Sequence, residues 1–372
     1  MSRGAAGVAM LHIERAATGL GDWSTAHVWL QTATRTALSG GADAALLFGT
    51  PALAFALHGA AHEPRRYQRV LNALDANVAT ITQRRLTRAH ARIDRGDRPA
   101  LAEFDLINGL TGLGAHLRRR HRDNDLLRQI LVYLVRLTRP LAAGDPLPGW
   151  WTPQPPTGRR ANADGTGGHG NLSIAHGISG PLALLSLTAL DGLTVDGQPE
   201  AIDTICSWLD DWRQHHPGGP WWPEIITLDE LRTGRPNQTH PHRPSWCYGT
   251  PGHARAQQLA ALARNDPHRQ HTAEHAMTGC LTDPAQLRQI TTPGLCHGTA
   301  GLLQTTWRIA ADASTPRLRP RLPDFAEQLL ADDKHDGEIG LLDGTTGQAL
   351  ALMTAAADQP PATKWDAFML LT

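Results

Sequence analysis

Cysteine is scarce in this chain: four in 372 residues, at Cys206, Cys247, Cys280 and Cys296. Thiols this sparse in a long chain argue against a disulfide framework and leave metal binding, catalysis or plain burial as their uses. Aromatic residues make up only 5%, and alternating β-branched runs are short, so strand signals are weak. The stretch EIITLDEL, Glu224 to Leu231, reads as a strand or a loop. An excess of charge of either sign is also missing. Lys plus Arg is 35 and Asp plus Glu is 35, so no basic field favours nucleic acid or anionic lipid as a partner. No apolar run approaches the ~18 residues that span a bilayer. The opening segment MSRGAAGVAMLHIERAA has Arg3 but no apolar h-region before charge returns at Glu14 and Arg15, so no signal peptide is expected. These absences predict a cytoplasmic protein without a membrane span.

What the chain does have is an internal repeat. A Gly-x-x-(Gly or small) turn followed by an apolar stretch at helical spacing recurs six times. The copies are LLFGTPALAFAL around Gly49, DLINGLTGLGAHL around Gly109, AHGISGPLALLSL around Gly177, CYGTPGHARAQQL around Gly249, CHGTAGLLQTT around Gly298 and LLDGTTGQALAL around Gly344. Glycine permits a sharp turn or a close backbone approach, and the mostly apolar helix after it should be buried. Between copies lie amphipathic segments. In Asp125 to Arg139, Leu126, Leu127, Ile130, Leu131, Leu134 and Leu137 share one face, Arg128, Arg136 and Arg139 can reach solvent, and Pro140 ends the run. A second such segment surrounds Ile202 to Trp212.

Each repeat therefore predicts an outer amphipathic helix and a buried inner one, stacked against its neighbours. The class expected is all-α: an open solenoid would show polar capping repeats at its ends, whereas a closed α/α toroid would not need them, and its Gly turns would gather on one face. Two irregular stretches interrupt it, near residues 144–170 with Trp150 and Trp151, and near 214–245 with Trp221 and Trp222. Long loops in a compact domain are usually functional or disordered. The paired tryptophans fit local packing, or the lining of a substrate groove. No linker stands out, so residues 1–372 are read as one domain.

Five of the turns carry reactive or charged groups: Asp105, His176, Cys247 with Tyr248, Cys296 with His297, and Asp343. Cys247 and Cys296 each sit two residues before the turn glycine, and His297 follows Cys296 directly. Two thiolates and an imidazole suit zinc, and three protein ligands leave a fourth tetrahedral position open, as in catalytic sites. Burial as small hydrophobic side chains is the other reading of the two cysteines. Cys206 and Cys280 lack this context and are expected to be structural. Among 19 histidines, His62, His242 and His253 are expected in surface or loop positions and His169 in a Gly-rich loop. His176 directly precedes its turn glycine, as Tyr248 and His297 do.

Taken together, these motifs resemble the lanthipeptide cyclases, the LanC family. That family is marked by His-Gly-x-x-Gly, Trp-Cys-x-Gly and Cys-His-Gly segments in order, here AHGISG (Ala175 to Gly180), SWCYGTPG (Ser245 to Gly252) and LCHGTAG (Leu295 to Gly301). FDLINGLTG (Phe104 to Gly112) is similar to its Asp-bearing turn, and PGWW (Pro148 to Trp151) also matches. The likeness runs from about residue 45 to 350. It implies an α/α toroid of seven inner and seven outer helices, one layer more than the six visible turns. It implies a Zn2+ site of Cys247, Cys296 and His297, with Asp105, His176, Arg243 and Tyr248 as further active-site residues. It implies a standalone enzyme that adds peptide cysteine thiolates to dehydroalanine or dehydrobutyrine, closing lanthionine or methyllanthionine rings in a dehydrated precursor peptide of leader plus core. A separate dehydratase, and a transporter in a membrane-associated complex, would be its partners. The alternative is a related protein that binds glutathione or another thiol without cyclising anything. Protein prenyltransferases, and a glycosidase using Asp105 with Asp343, are rival uses of such a toroid.

Overall fold

The computed structural model describes residues 1–35, 38–61, 66–121, 124–156, 167–331 and 338–372. Among these, the helices in chain order are α1 (Ala5–Ala17), α2 (Trp23–Ala33), α3 (Thr50–Gly59), α4 (Gln68–Asp94), α5 (Leu101–Phe104), α6 (Leu110–Arg120), α7 (Asp125–Leu137), α8 (Ser179–Leu190), α9 (Gln198–Asp211), α10 (Leu228–Thr233), α11 (Thr250–Arg264), α12 (Pro267–Thr282), α13 (Pro284–Leu287), α14 (Thr299–Asp312), α15 (Leu322–Ala331) and α16 (Thr345–Ala357). Two short strands, β1 (His169–Asn171) and β2 (Ile225–Thr227), pair antiparallel.

All six Gly turns open a helix, namely α3, α6, α8, α11, α14 and α16. Five of these start immediately after the turn glycine. The sixth, α8, is capped by Ile178, one residue beyond Gly177. The helices are buried over most of their circumference, as their near-continuous apolar and small residues require. The reason for glycine is mostly proximity rather than handedness. A Cβ at Gly249 would lie 2.3 Å from the Ser245 nitrogen, and one at Gly252 would lie 2.1 Å from the Trp246 carbonyl oxygen. Only Gly49 among the six turn glycines has a positive φ, at 71°.

The same signature marks α1, where the sequence pattern is faint. Gly4-Ala-Ala-Gly7 opens that helix, and a Cβ on Gly7 would meet the carbonyl oxygen six residues earlier, at 2.2 Å from Met1. Gly180, Gly252, Gly301 and Gly347 each crowd the carbonyl at the same offset. This further copy is faint in the sequence because Ser2 and Arg3, rather than an apolar lead-in, precede Gly4.

Residues Met1–Thr82 and Ile290–Thr372 form one compact unit, and Gln83–Gln289 a second. In the first, α1 packs against α2, α3 and α16, while α14 packs against α15 and α16. Backbone bonds tie the turns together. Leu341 N donates to Ser2 O at 2.7 Å, and the Met1 amine donates to Leu47 O at 2.6 Å. The buried carboxylate of Asp366 accepts from Arg308 Nε at 2.6 Å, Arg308 Nη2 at 2.8 Å and Gln304 Nε2 at 2.7 Å.

In the second unit α6, α8 and α11 pack side by side, each against the helix that follows it: α7, α9 and α12. The amphipathic segment around Leu127 is α7, with Leu127, Ile130, Leu131, Leu134 and Leu137 buried and Arg139 exposed. Asn124 caps its start through Oδ1, which accepts from Leu126 N at 2.8 Å.

The irregular stretches are better ordered than their composition predicts. EIITLDEL is β2 running into α10, closed by a capping box between Thr227 and Glu230. Of the 144–170 stretch, residues 157–166 lie outside the described residues. Trp150, Trp151, Trp221 and Trp222 are all buried. Trp151 Nε1 donates to Gly167 O and Trp222 Nε1 to Leu209 O, both at 2.9 Å, so these indoles pack rather than line an open groove. One expectation fails. His253 is not a surface or loop residue but lies fully buried within α11, beside the Trp222 ring, with its Nδ1 3.2 Å from Ser179 Oγ. Packing of α11 against α8 and α12, invisible in a linear reading, puts it there. His242 is half-buried, 3.3 Å from the buried Glu224 carboxylate, and His62 lies outside the described residues.

Candidate metal centre

The reactive side chains on the Gly turns, Asp105, His176, Cys247, Tyr248, Cys296 and His297, share one kind of turn. In it the turn glycine N–H donates to the carbonyl four residues back: Gly109 to Asp105 at 3.1 Å, Gly177 to Ser173 at 3.0 Å, Gly249 to Ser245 at 2.9 Å and Gly298 to Gly294 at 3.0 Å. In the first three of these turns the first residue also caps the turn with its side chain. Asp105 Oδ1 accepts from Asn108 N (2.6 Å) and Gly109 N (2.8 Å), Ser173 Oγ from His176 N (3.0 Å), and Ser245 Oγ from Tyr248 N (3.3 Å). These local bonds compete successfully with helix formation, which is why Asp and Ser suit the position.

Bonds between turns then register them. Leu106 N donates to Ala175 O at 3.1 Å, and Ala175 N donates to Cys247 O at 3.3 Å. Cys296 N donates to Leu342 O at 3.0 Å. Each thiol-bearing residue is thus anchored by its own backbone. The Cys247 Sγ is buried, 3.6 Å from Ser245 Oγ, and Cys296 and His297 are half-buried. One ligand atom from each of Cys247, Cys296 and His297 lies within 4.8 Å of the others, so the group could hold a metal ion. Tetrahedral ligands ~2.3 Å from a zinc ion sit roughly 3.8 Å apart, so the spacing is of the right size.

Two bonds organise the polar side chains around this turn layer in the second unit. His176 Nδ1 lies 2.6 Å from Asp105 Oδ2, with the carboxylate 1% and the imidazole 33% exposed. A buried carboxylate on Nδ1 leaves Nε2 as the nitrogen for proton exchange. Tyr248 OH lies 3.2 Å from Asn171 Nδ2, and its ring centroid is 6.0 Å from that of His176.

A family model for lanthionine synthetase C-like protein matches residues 1–370. The chain belongs to the lanthionine synthetase C-like family. A search of curated proteins finds no match. Among solved structures, nisin cyclase is similar over 100% of this chain and 91% of that chain, with a TM-score of 0.81 and 20% sequence identity. The fold is the all-α toroid of that neighbour.

Placed on this lanthionine synthetase C-like fold, the sequence candidates separate into two groups. Asp105, His176 and Tyr248 come together, while Cys247, Cys296 and His297 form the group that could hold a metal ion. Arg243 is half-buried, two residues before Ser245, whose N–H its carbonyl accepts at 2.8 Å. The other candidates fall away. His169 is buried in β1, with Nδ1 2.9 Å from Gln154 O. Burial pushes the Cys206 thiol up to about 12 and also raises that of Cys280, so neither supplies a thiolate at neutral pH. Asp343 is 3.9 Å from Arg3 in a solvent-exposed pair. Asn171, Ser173 and Ser245 were missed by the sequence reading. The Asn-x-Ser spacing in GNLSIAHG marks a side chain that bonds the backbone two residues on, and was the available signal.

Proposed function

We propose that this protein is a zinc-dependent lanthipeptide cyclase acting through residues 1–372 as a whole. The observation that carries the proposal is the approach of Cys247, Cys296 and His297 to within 4.8 Å in a chain of the lanthionine synthetase C-like family. Two thiolates and a neutral imidazole are a zinc donor set with one position to spare.

A zinc ion held there would supply deprotonation of a peptide cysteine thiol, whose pKa of ~8.5 leaves it mostly protonated at neutral pH. Two anionic sulfurs already offset the ion's charge, which keeps the incoming sulfur nucleophilic. The rest of the chemistry would fall to side chains of the chain itself. The substrate sulfur forms a bond to the β-carbon of dehydroalanine or dehydrobutyrine as the alkene π pair moves to the carbonyl oxygen. Arg243 stabilises that enolate oxygen as a fixed cation, and Tyr248 donates a hydrogen bond to it. His176, held by Asp105 through Nδ1, takes up the substrate thiol's proton at Nε2 and returns it to the α-carbon. The product is a thioether ring, lanthionine or methyllanthionine. The substrate is a dehydrated precursor peptide, and a separate dehydratase would prepare it.

The test is mass spectrometry of a dehydrated precursor peptide with and without the purified protein, using thiol alkylation to count the cysteines consumed and metal analysis to measure zinc. Loss of alkylatable thiols at unchanged peptide mass supports the proposal. A protein with about one equivalent of zinc that binds glutathione and closes no ring would be the non-cyclising alternative. A protein without stoichiometric zinc would overturn the reading.

A further inference from the structure

Asn171 plays no part in that scheme, yet its amide bonds both Tyr248 and the turn that carries His176. It is 2% exposed, at the end of β1. Its Oδ1 accepts from Ser173 N at 3.0 Å and its backbone carbonyl accepts from Ile178 N at 2.9 Å, so one residue spans the turn that carries His176. Glycine at 177 is what admits it: a Cβ there would lie 2.5 Å from Asn171 Oδ1. The remaining amide nitrogen reaches Tyr248 OH at 3.2 Å.

This arrangement has a polarity. A backbone N–H can only donate, so the atom facing Ser173 N must be the amide oxygen. The atom facing Tyr248 is then the NH2 group, which can only donate. The phenol oxygen therefore accepts from Asn171, and its own proton is directed to a different acceptor. We infer that Asn171 is a positioning residue which holds Tyr248 as a hydrogen-bond donor toward the reacting centre and couples it to the His176 turn. The inference rests on the cyclase reading for its catalytic consequence, but the bond polarity stands apart from it. Donor-to-acceptor chains of this kind strengthen one another inside a protein, so the phenol becomes the better donor to a developing enolate oxygen.

Asn171→Asp is nearly isosteric, keeps an oxygen for Ser173 N and replaces the donor facing Tyr248 by an acceptor. The phenol proton should then turn away from the reacting centre to the new carboxylate. Asn171→Ser keeps a short acceptor for Ser173 N but cannot reach the phenol, and serves if the first variant does not fold. The chain has only 3 tyrosines, so the tyrosine Raman doublet of each protein, minus that of its Tyr248→Phe counterpart, isolates Tyr248 whether or not the enzyme turns over. Expected is a shift of that doublet toward a stronger donor in Asn171→Asp. With the dehydrated peptide, kcat should fall about 10-fold or more at unchanged zinc content and KM, and Asn171→Asp should cost nothing further in the Tyr248→Phe background. An unchanged doublet, or a loss of kcat that persists in full in the Tyr248→Phe background, would overturn the inference. A wild-type protein that closes no ring would count against the cyclase reading alone, leaving the doublet to decide the positioning.

Discussion

The imidazole of His176 and the carboxylate of Asp105 meet at 2.6 Å although 71 residues separate them in the chain. Asp105 uses its two oxygens for different tasks. Oδ1 closes its own turn through Asn108 N and Gly109 N, and Oδ2 faces His176 Nδ1. This division allows a clean perturbation. Asn at position 105 can keep the capping oxygen while presenting an NH2 group to Nδ1, which forces the proton of a neutral imidazole onto Nε2. Asp105→Asn is expected to lower kcat for ring closure roughly a thousandfold with little change in KM or in zinc content. Single-turnover mass spectrometry with zinc quantification checks this. A comparable loss of zinc would instead make Asp105 part of the metal scaffold.

The four cysteines should divide into two pairs. Cys247→Ala and Cys296→Ala are expected to abolish stoichiometric metal binding, because two ligands remain of three. Cys206→Ala and Cys280→Ala should retain the metal and lose about 1 kcal/mol or more of stability through the cavity left at these buried sites. Metal analysis together with urea unfolding separates the two behaviours.

His253 makes stability depend on pH. Burial lowers its pKa from 6.5 to about 4. The unfolded chain therefore binds a proton between those values that the native state refuses. Stability from this residue is complete above pH 6.5 and is lost as the pH falls toward 4, by roughly 3 kcal/mol in all. Burial lowers His116 to about 3 with the same sign. Unfolding midpoints for wild type and His253→Gln, compared at pH 7 and pH 4.5, should differ in slope, with the variant less sensitive. Parallel curves would remove His253 from the explanation.

The Arg308–Asp366 pair tests the first unit. Asp366 is fully buried and takes three donors. Asp366→Ala strands the guanidinium and should cost about 3–5 kcal/mol. The paired change Arg308→Met with Asp366→Ala should recover part of that loss, since no buried charge is then left alone. Calorimetry on the two variants decides between these outcomes.

Local features of the chain carried much of this in advance. A glycine crowded against a backbone carbonyl has no substitute, so the turns before α3, α6, α8, α11, α14 and α16 could be read from spacing alone, and with them the sites of Cys247, Cys296 and His297. An apolar stripe on a 3.6-residue period gave away α7 for the same reason. What only the tertiary structure decided are relations between distant segments. Burial of His253 depends on the helices and the indole packed around it. The copy of the turn at Gly4 became visible only through the approach of Gly7 to the Met1 carbonyl. Asn171 gained its meaning from an amide whose polarity is set by Ser173 and spent on Tyr248, 77 residues away. The metal-ligand candidates that motivated the reading were legible because each is fixed to a turn by its neighbours in sequence. The groups that aim protons and hydrogen bonds around them were not, because direction is a property of contacts that the chain makes only when folded.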